Sequence, residues 1–106
     1  VLGNYQVGIY YHHIVNDFNL AERYYKLAAE AGDVKAMGNL GGIYDDFPGR
    51  EPNPFEAQYY YEMGASKGDV IAQFNAATVY ETGDGMPKNL KKALDFYYLG
   101  CTLGDE

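Results

Sequence analysis

Between residues 36 and 44 the positions Ala36, Leu40, Gly41 and Tyr44 recur at i, i+4, i+5 and i+8, one face of an α-helix whose glycines let another helix come close. A breaker-rich stretch from Phe47 to Pro54 follows. It ends in Asn53-Pro54, a capping side chain and then the residue favoured at the first helical position. From Glu56 to Lys67 an apolar face returns, carried by Ala57, Tyr60, Tyr61, Gly64 and Ala65, and Gly68-Asp69 closes it with a left-handed stop. The pattern predicts a helical hairpin with a helix A and a helix B.

The hairpin recurs. Gly32-Asp33, Gly68-Asp69 and Gly104-Asp105 are spaced 36 residues apart, and Ala21/Ala57/Ala93, Tyr25/Tyr61/Tyr97, Leu27/Met63/Leu99 and Asp17/Asn53/Asn89 keep the same step. The third unit matches position by position, with Ala72, Ala76, Ala77 and Tyr80 on helix A, the turn Gly83-Asp84-Gly85, the cap Asn89, and Ala93, Phe96, Tyr97 and Gly100 on helix B. In the first unit Val7, Gly8 and Tyr11 fill the equivalent slots, but its A-to-B loop is three residues short and lacks both glycines. A single hairpin cannot bury its small-residue face. The expectation is therefore one all-α domain over residues 1–106, a right-handed α/α superhelical solenoid of three antiparallel helix pairs (approximately 1–33, 34–69 and 70–105), without strands.

The run A-x-x-x-L-G-x-x-Y, a G-x-G near the loop, an Asx cap, A-x-x-x-Y and A-A-x-x-G-D resembles the Sel-one-like repeat, a relative of the tetratricopeptide repeat. Tyr80-Glu81-Thr82-Gly83-Asp84-Gly85 with Asn89 and Ala93 fits best. The second unit has Phe47 in place of the first loop glycine, and the first departs through its short loop. The resemblance implies an adaptor or scaffold for protein complexes rather than an enzyme. Some relatives pair two cysteines in each repeat; with Cys101 alone, this chain resembles the cysteine-free branch.

Composition narrows the partner. Eight Lys and Arg stand against fifteen Asp and Glu, a formal charge of -7, which disfavours phosphate backbones and anionic lipid surfaces, so neither nucleic acid nor membrane insertion is expected. No apolar run reaches the ~20 residues of a membrane span. A lone cysteine allows no intrachain disulfide and leaves the compartment open. His12-His13 is a poor metal pair, because adjacent helical residues diverge by about 100° and no third ligand is near. Cys101 and the histidines belong to opposite ends of the stack, and Asp45, Asp46, Glu81 and Asp84 lack calcium-loop spacing. No catalytic residue, metal or cofactor is assigned.

In stacked hairpins the A helices line the concave face. Residues 1–11, 36–44 and 71–80 contain no Asp, Glu, Lys, Arg or His, whereas Arg23, Lys26, Lys67, Lys91 and Lys92 fall on B helices. The polar residues of the A helices are Gln6, Asn39, Gln73, Asn75 and Thr78, with Gln6, Asn39 and Asn75 in one column. Side-chain amides both donate and accept, so such a ladder can hold the backbone of an extended segment; alternatively the amides bond to a neighbouring helix and fix the stacking. Without Lys or Arg on these helices, an internal or neutral segment is favoured over a free C-terminal carboxylate. Tyr10, like Tyr59 and Tyr98, lies beside the repeat columns, where a ring either packs into the next repeat or, exposed, supplies contact area. The expected partner-binding set is Gln6, Tyr10, Asn39, Gln73, Asn75 and Thr78, and the expected partner a protein or peptide. The alternative is a purely structural segment of a longer array, which stacks on further repeats or self-associates through uncapped end faces.

Overall fold

The computed structural model describes residues 3–104, with the backbone alone from Gly100 onward; Val1, Leu2, Asp105, Glu106 and the Cys101 side chain lie outside the described residues. Helices α1 (Asn4–Ile9), α2 (Phe18–Glu30), α3 (Val34–Asp45), α4 (Pro54–Ser66), α5 (Val70–Thr82) and α6 (Leu90–Gly104) pack each on the next, and no strand occurs among the described residues. Asp17, Asp33, Asn53, Asp69 and Asn89 cap helices: their Oδ1 atoms accept the N–H of Leu20, Ala36, Glu56, Ile71 and Lys92 at 3.1–3.3 Å. Each such cap is worth about 1 kcal/mol. Between hairpins the chain reverses at Gly32 and Gly68, whose φ angles of +96° and +94° are closed to most side chains.

One bond closes every hairpin. The N–H of Asp17, Asn53 and Asn89 donates to the carbonyl of Tyr11, Tyr44 and Tyr80 at 2.8, 2.9 and 2.9 Å. Those tyrosines stack in turn on Tyr24, Tyr60 and Phe96, with interplanar angles of 13°, 7° and 13°. The repeat is thus kept in its aromatic contacts as well as its backbone.

The first unit reaches the same closure by another route. Tyr10–Val15 continues α1 as a π-helix, ended by Asn16 at φ 62°, so only Asn16 and Asp17 separate it from α2. What the sequence presents as a short loop is a longer, wider helix. In the second unit Phe47, at the place of the loop glycine, is buried beside Phe18, with ring centroids 5.8 Å apart.

Two glutamines clip the second and third units together. Gln58 Nε2 donates to the Ala76 carbonyl at 3.2 Å, and Gln73 Nε2 donates to the Ala65 carbonyl at 3.1 Å. Arg50 ties the second unit to the first through Glu22 at 3.1 Å and Asn19 at 2.8 Å, its guanidinium 3.7 Å from the Phe47 ring centre. Desolvation pushes the Glu22 carboxyl up, but hydrogen bonds from Arg50 and Tyr44, with the charges of Arg50 and Lys26, leave it below the usual carboxylate range.

Candidate functional site

A hollow of about 680 Å³ runs across all three units on the side of α1, α3 and α5. Tyr5 walls it from the first unit and Ile71 and Asn75 from the third, while Gly38, Asn39 and Gly42 of α3 form its floor. The register explains the space. Tyr5, Gly38 and Phe74 share one column, so α3 carries hydrogen where its neighbours carry rings. Gly38 and Gly42, one turn apart, each forgo about 1 kcal/mol of helix propensity relative to alanine. A smaller hollow of about 170 Å³ shares Tyr61 and Asn75 with the first and adds Asp45, Thr78, Thr82 and Asp84.

The expected binding residues separate here. Asn39 and Asn75 line the large hollow together, and Thr78 joins Asn75 in the smaller one. Asn39 Nδ2 donates to Tyr5 Oη at 3.3 Å, a bond across the repeat boundary. The Asn75 side chain makes no such bond among the described residues, because the residue in the place of Tyr5 is Gly38. Thr78 Oγ1 donates to the Phe74 carbonyl at 2.9 Å. Gln6 is exposed, but it borders a different hollow with Gly3 and Ala31. Tyr10 is 51% exposed, edge-on to Tyr11, and touches neither hollow.

Two expectations are corrected. Gln73 is turned inward, 1% exposed and bonded to Ala65, so it holds repeats together and offers nothing to a partner. Nor is the groove free of charge: Lys35, Asp46 and Asp69 line it. Helix α3 starts at Val34, ahead of the expected segment, which brings Lys35 into its first turn, and the loop ends contribute the carboxylates. A cationic donor is therefore present, and the argument against carboxylate binding falls.

A further column escaped the sequence pattern. Tyr61 Oη donates to Asp45 Oδ2 and Tyr97 Oη to Glu81 Oε1, each at 3.0 Å, and in the first unit Tyr25 Oη lies 3.1 Å from His12 Nδ1. His12, Asp45 and Glu81 each follow the recurring helix A tyrosine (Tyr11, Tyr44 and Tyr80), and that adjacency was the available signal. Desolvation, with the charge of His13 stacked 4.0 Å away, holds His12 below the ordinary imidazole range. That direction favours the neutral ring, whose Nδ1 shares a hydrogen bond with the Tyr25 hydroxyl.

The sign of the pH effect follows. Below about 6.5 the unfolded chain binds the His12 proton more readily than the folded one, so this contribution is full above that pH and is lost as pH falls. Urea unfolding at pH 7.5 and 5.5 should show stability falling on acidification, and His12→Gln should flatten that slope. An unchanged slope would assign it to other groups.

The Sel1 repeat family model matches residues 1–33, 34–69 and 70–105. The chain belongs to the Sel1 repeat family. A Sel1 repeat protein from Oxalobacter formigenes is 36% identical over 81% of this chain and 35% of its own, with a TM-score of 0.74. The antigen c5321 of uropathogenic Escherichia coli strains, which displays the same repeat fold, superposes with a TM-score of 0.84 over 95% of this chain and 22% of its own. At 23% identity that likeness speaks for the fold alone. The chain spans only about a third of the first relative and a fifth of the second. No curated protein matches it. These Sel1 repeats therefore build the right-handed superhelical solenoid of helix pairs read from the sequence, and no helix among the described residues is long and apolar enough to cross a membrane.

Proposed function

We propose that this Sel1 domain is an adaptor that binds an extended protein segment along its A helices, over Asn39 and Asn75. Sel1 repeats are in general scaffolds for protein–protein interaction, with no catalytic role typical of the family. The observation that carries the location is the 680 Å³ hollow lined by side chains of all three units, where the glycine floor leaves room for a main chain. Amides on both sides of that floor offer donors and acceptors to any backbone, whatever its side chains. Thr78 extends the surface, whereas Gln6 and Tyr10 flank it.

The double substitution Asn39→Ala with Asn75→Ala is expected to weaken binding of extended peptides about tenfold, the scale of two lost neutral hydrogen bonds at ~1 kcal/mol or less each. Helicity should be unchanged. Intact binding accompanied by a clear fall in melting temperature would give the amides a stacking role instead.

A second reading, a structural segment that stacks on further repeats, is favoured by Phe74, Leu94 and Tyr98. These occupy in the third unit the columns that Gly38, Gln58 and Glu62 hold in the second, and they are 58, 53 and 64% exposed. Light scattering separates the two: concentration-dependent association abolished by Leu94→Glu supports stacking.

A further inference from the structure

The groove reading above leaves open what the bound segment must carry, and the charge pattern of the two hollows answers that, resting on the same reading. Asp46 and Asp69 border the large hollow, and Asp45 and Asp84 the small one. Lys35 is the sole basic residue on either lining apart from the imidazole of His12. Among the described residues the only ion pair, Arg50 with Glu22, joins side chains that line neither. Asp69 is occupied as a helix cap, but Asp45 and Asp84 come from different repeats and cap nothing. They meet at a hollow whose other polar walls are the Tyr61 phenol, the Asn75 amide and two threonines. The threonine hydroxyls are already committed, donating to the Phe74 and Thr78 carbonyls at 2.9 Å.

We propose that the groove takes an extended protein segment bearing a lysine or arginine, its main chain along Asn39 and Asn75 and its cation received by Asp45 and Asp84 beside Tyr61. A side chain leaving a backbone over Asn75 would pass directly into the smaller hollow, because Asn75 and Tyr61 line both. Asp45 has the Tyr61 hydroxyl as its one hydrogen-bond donor and no cation beside it among the described residues. Desolvation, eased by the Tyr61 hydrogen bond and reinforced by Asp84 and Asp46, holds its carboxyl above the usual range. A cation placed there compensates all three carboxylates, and it complements a chain whose formal charge is -7.

The test measures fluorescence anisotropy with three end-blocked nonapeptide pools, random except for a central Arg, Gln or Glu. The Arg pool should bind about fivefold tighter than the Gln pool, the scale of a solvent-exposed ion pair, and added salt should narrow the gap. In Asp45→Asn and in Asp84→Asn the Arg preference should collapse while the Gln pool is unaffected. Asp84 is exposed and outside every helix, so its variant carries the test even if Asp45→Asn loses stability. Equal affinity of the Arg and Gln pools, with binding still dependent on Asn39 and Asn75, would overturn the cation site and leave the groove standing. A preference for Glu would overturn it in favour of Lys35. Failure of all three pools would overturn the groove and the cation site together.

Discussion

Alanine in place of Tyr61 is expected to lower the unfolding free energy by about 3–5 kcal/mol, the range for removing a large buried aromatic side chain. The ring is 5% exposed, lies directly over Gly41, and ends in the hydroxyl bonded to Asp45. Against the 5–15 kcal/mol typical of a whole domain, such a loss is at least a fifth of the margin. Phenylalanine at the same position keeps the packing and forfeits one hydrogen bond, about 1 kcal/mol. Urea titrations of both variants separate the two contributions. A loss of less than 1 kcal/mol in Tyr61→Ala would show that the ring does not hold the hairpin together.

The complementary experiment places mass where the structure has none. A Cβ on Gly41 would stand 2.6 Å from Tyr61 Cε1 and 3.1 Å from the Ala57 carbonyl oxygen, so helices α3 and α4 would have to part. Overpacking of this kind costs about 1–3 kcal/mol. Alanine returns about 1 kcal/mol through helix propensity, leaving a net destabilisation of up to about 2 kcal/mol for Gly41→Ala. The two sites must couple. In a Tyr61→Ala background the clash with the ring disappears and only the 3.1 Å approach to the Ala57 carbonyl oxygen remains, so the same Gly41→Ala change should cost less or become neutral, a non-additivity read directly from a double-mutant cycle. Additive effects would mean that Gly41 is constrained by something other than that ring.

The hairpins were legible because their signals are local. Asp17, Asn53 and Asn89 fall where capping side chains must fall, and Gly32 and Gly68 where the backbone turns left-handed. The periodic tyrosines were legible as core for the same reason, and Tyr25 and Tyr61 are buried as their column requires. What the repeat register could not supply was the direction of single side chains. Gln73 and Asn75 stand two residues apart on one helix, so their side chains diverge by about 200°, and it is Gln73, in the column of the buried Met37, that turns inward to Ala65. Lys35 escaped because it precedes the clear apolar face, and a boundary shifted by two residues is enough to change the charge of a groove. The π-helical stretch of the first unit is invisible as a pattern: a missing loop and a widened helix remove the same residues from the register.

Packing in this protein runs from each helix to the next, so the first and third units communicate almost wholly through the second. Yet the large hollow is bordered at once by Tyr5, Asn39 and Asn75, one residue from each unit. A segment lying there would splice distant links of the stack and close a mechanical loop that the chain itself leaves open. Occupancy would then be felt as stiffness: the curvature of the solenoid would be set by the length of what it holds.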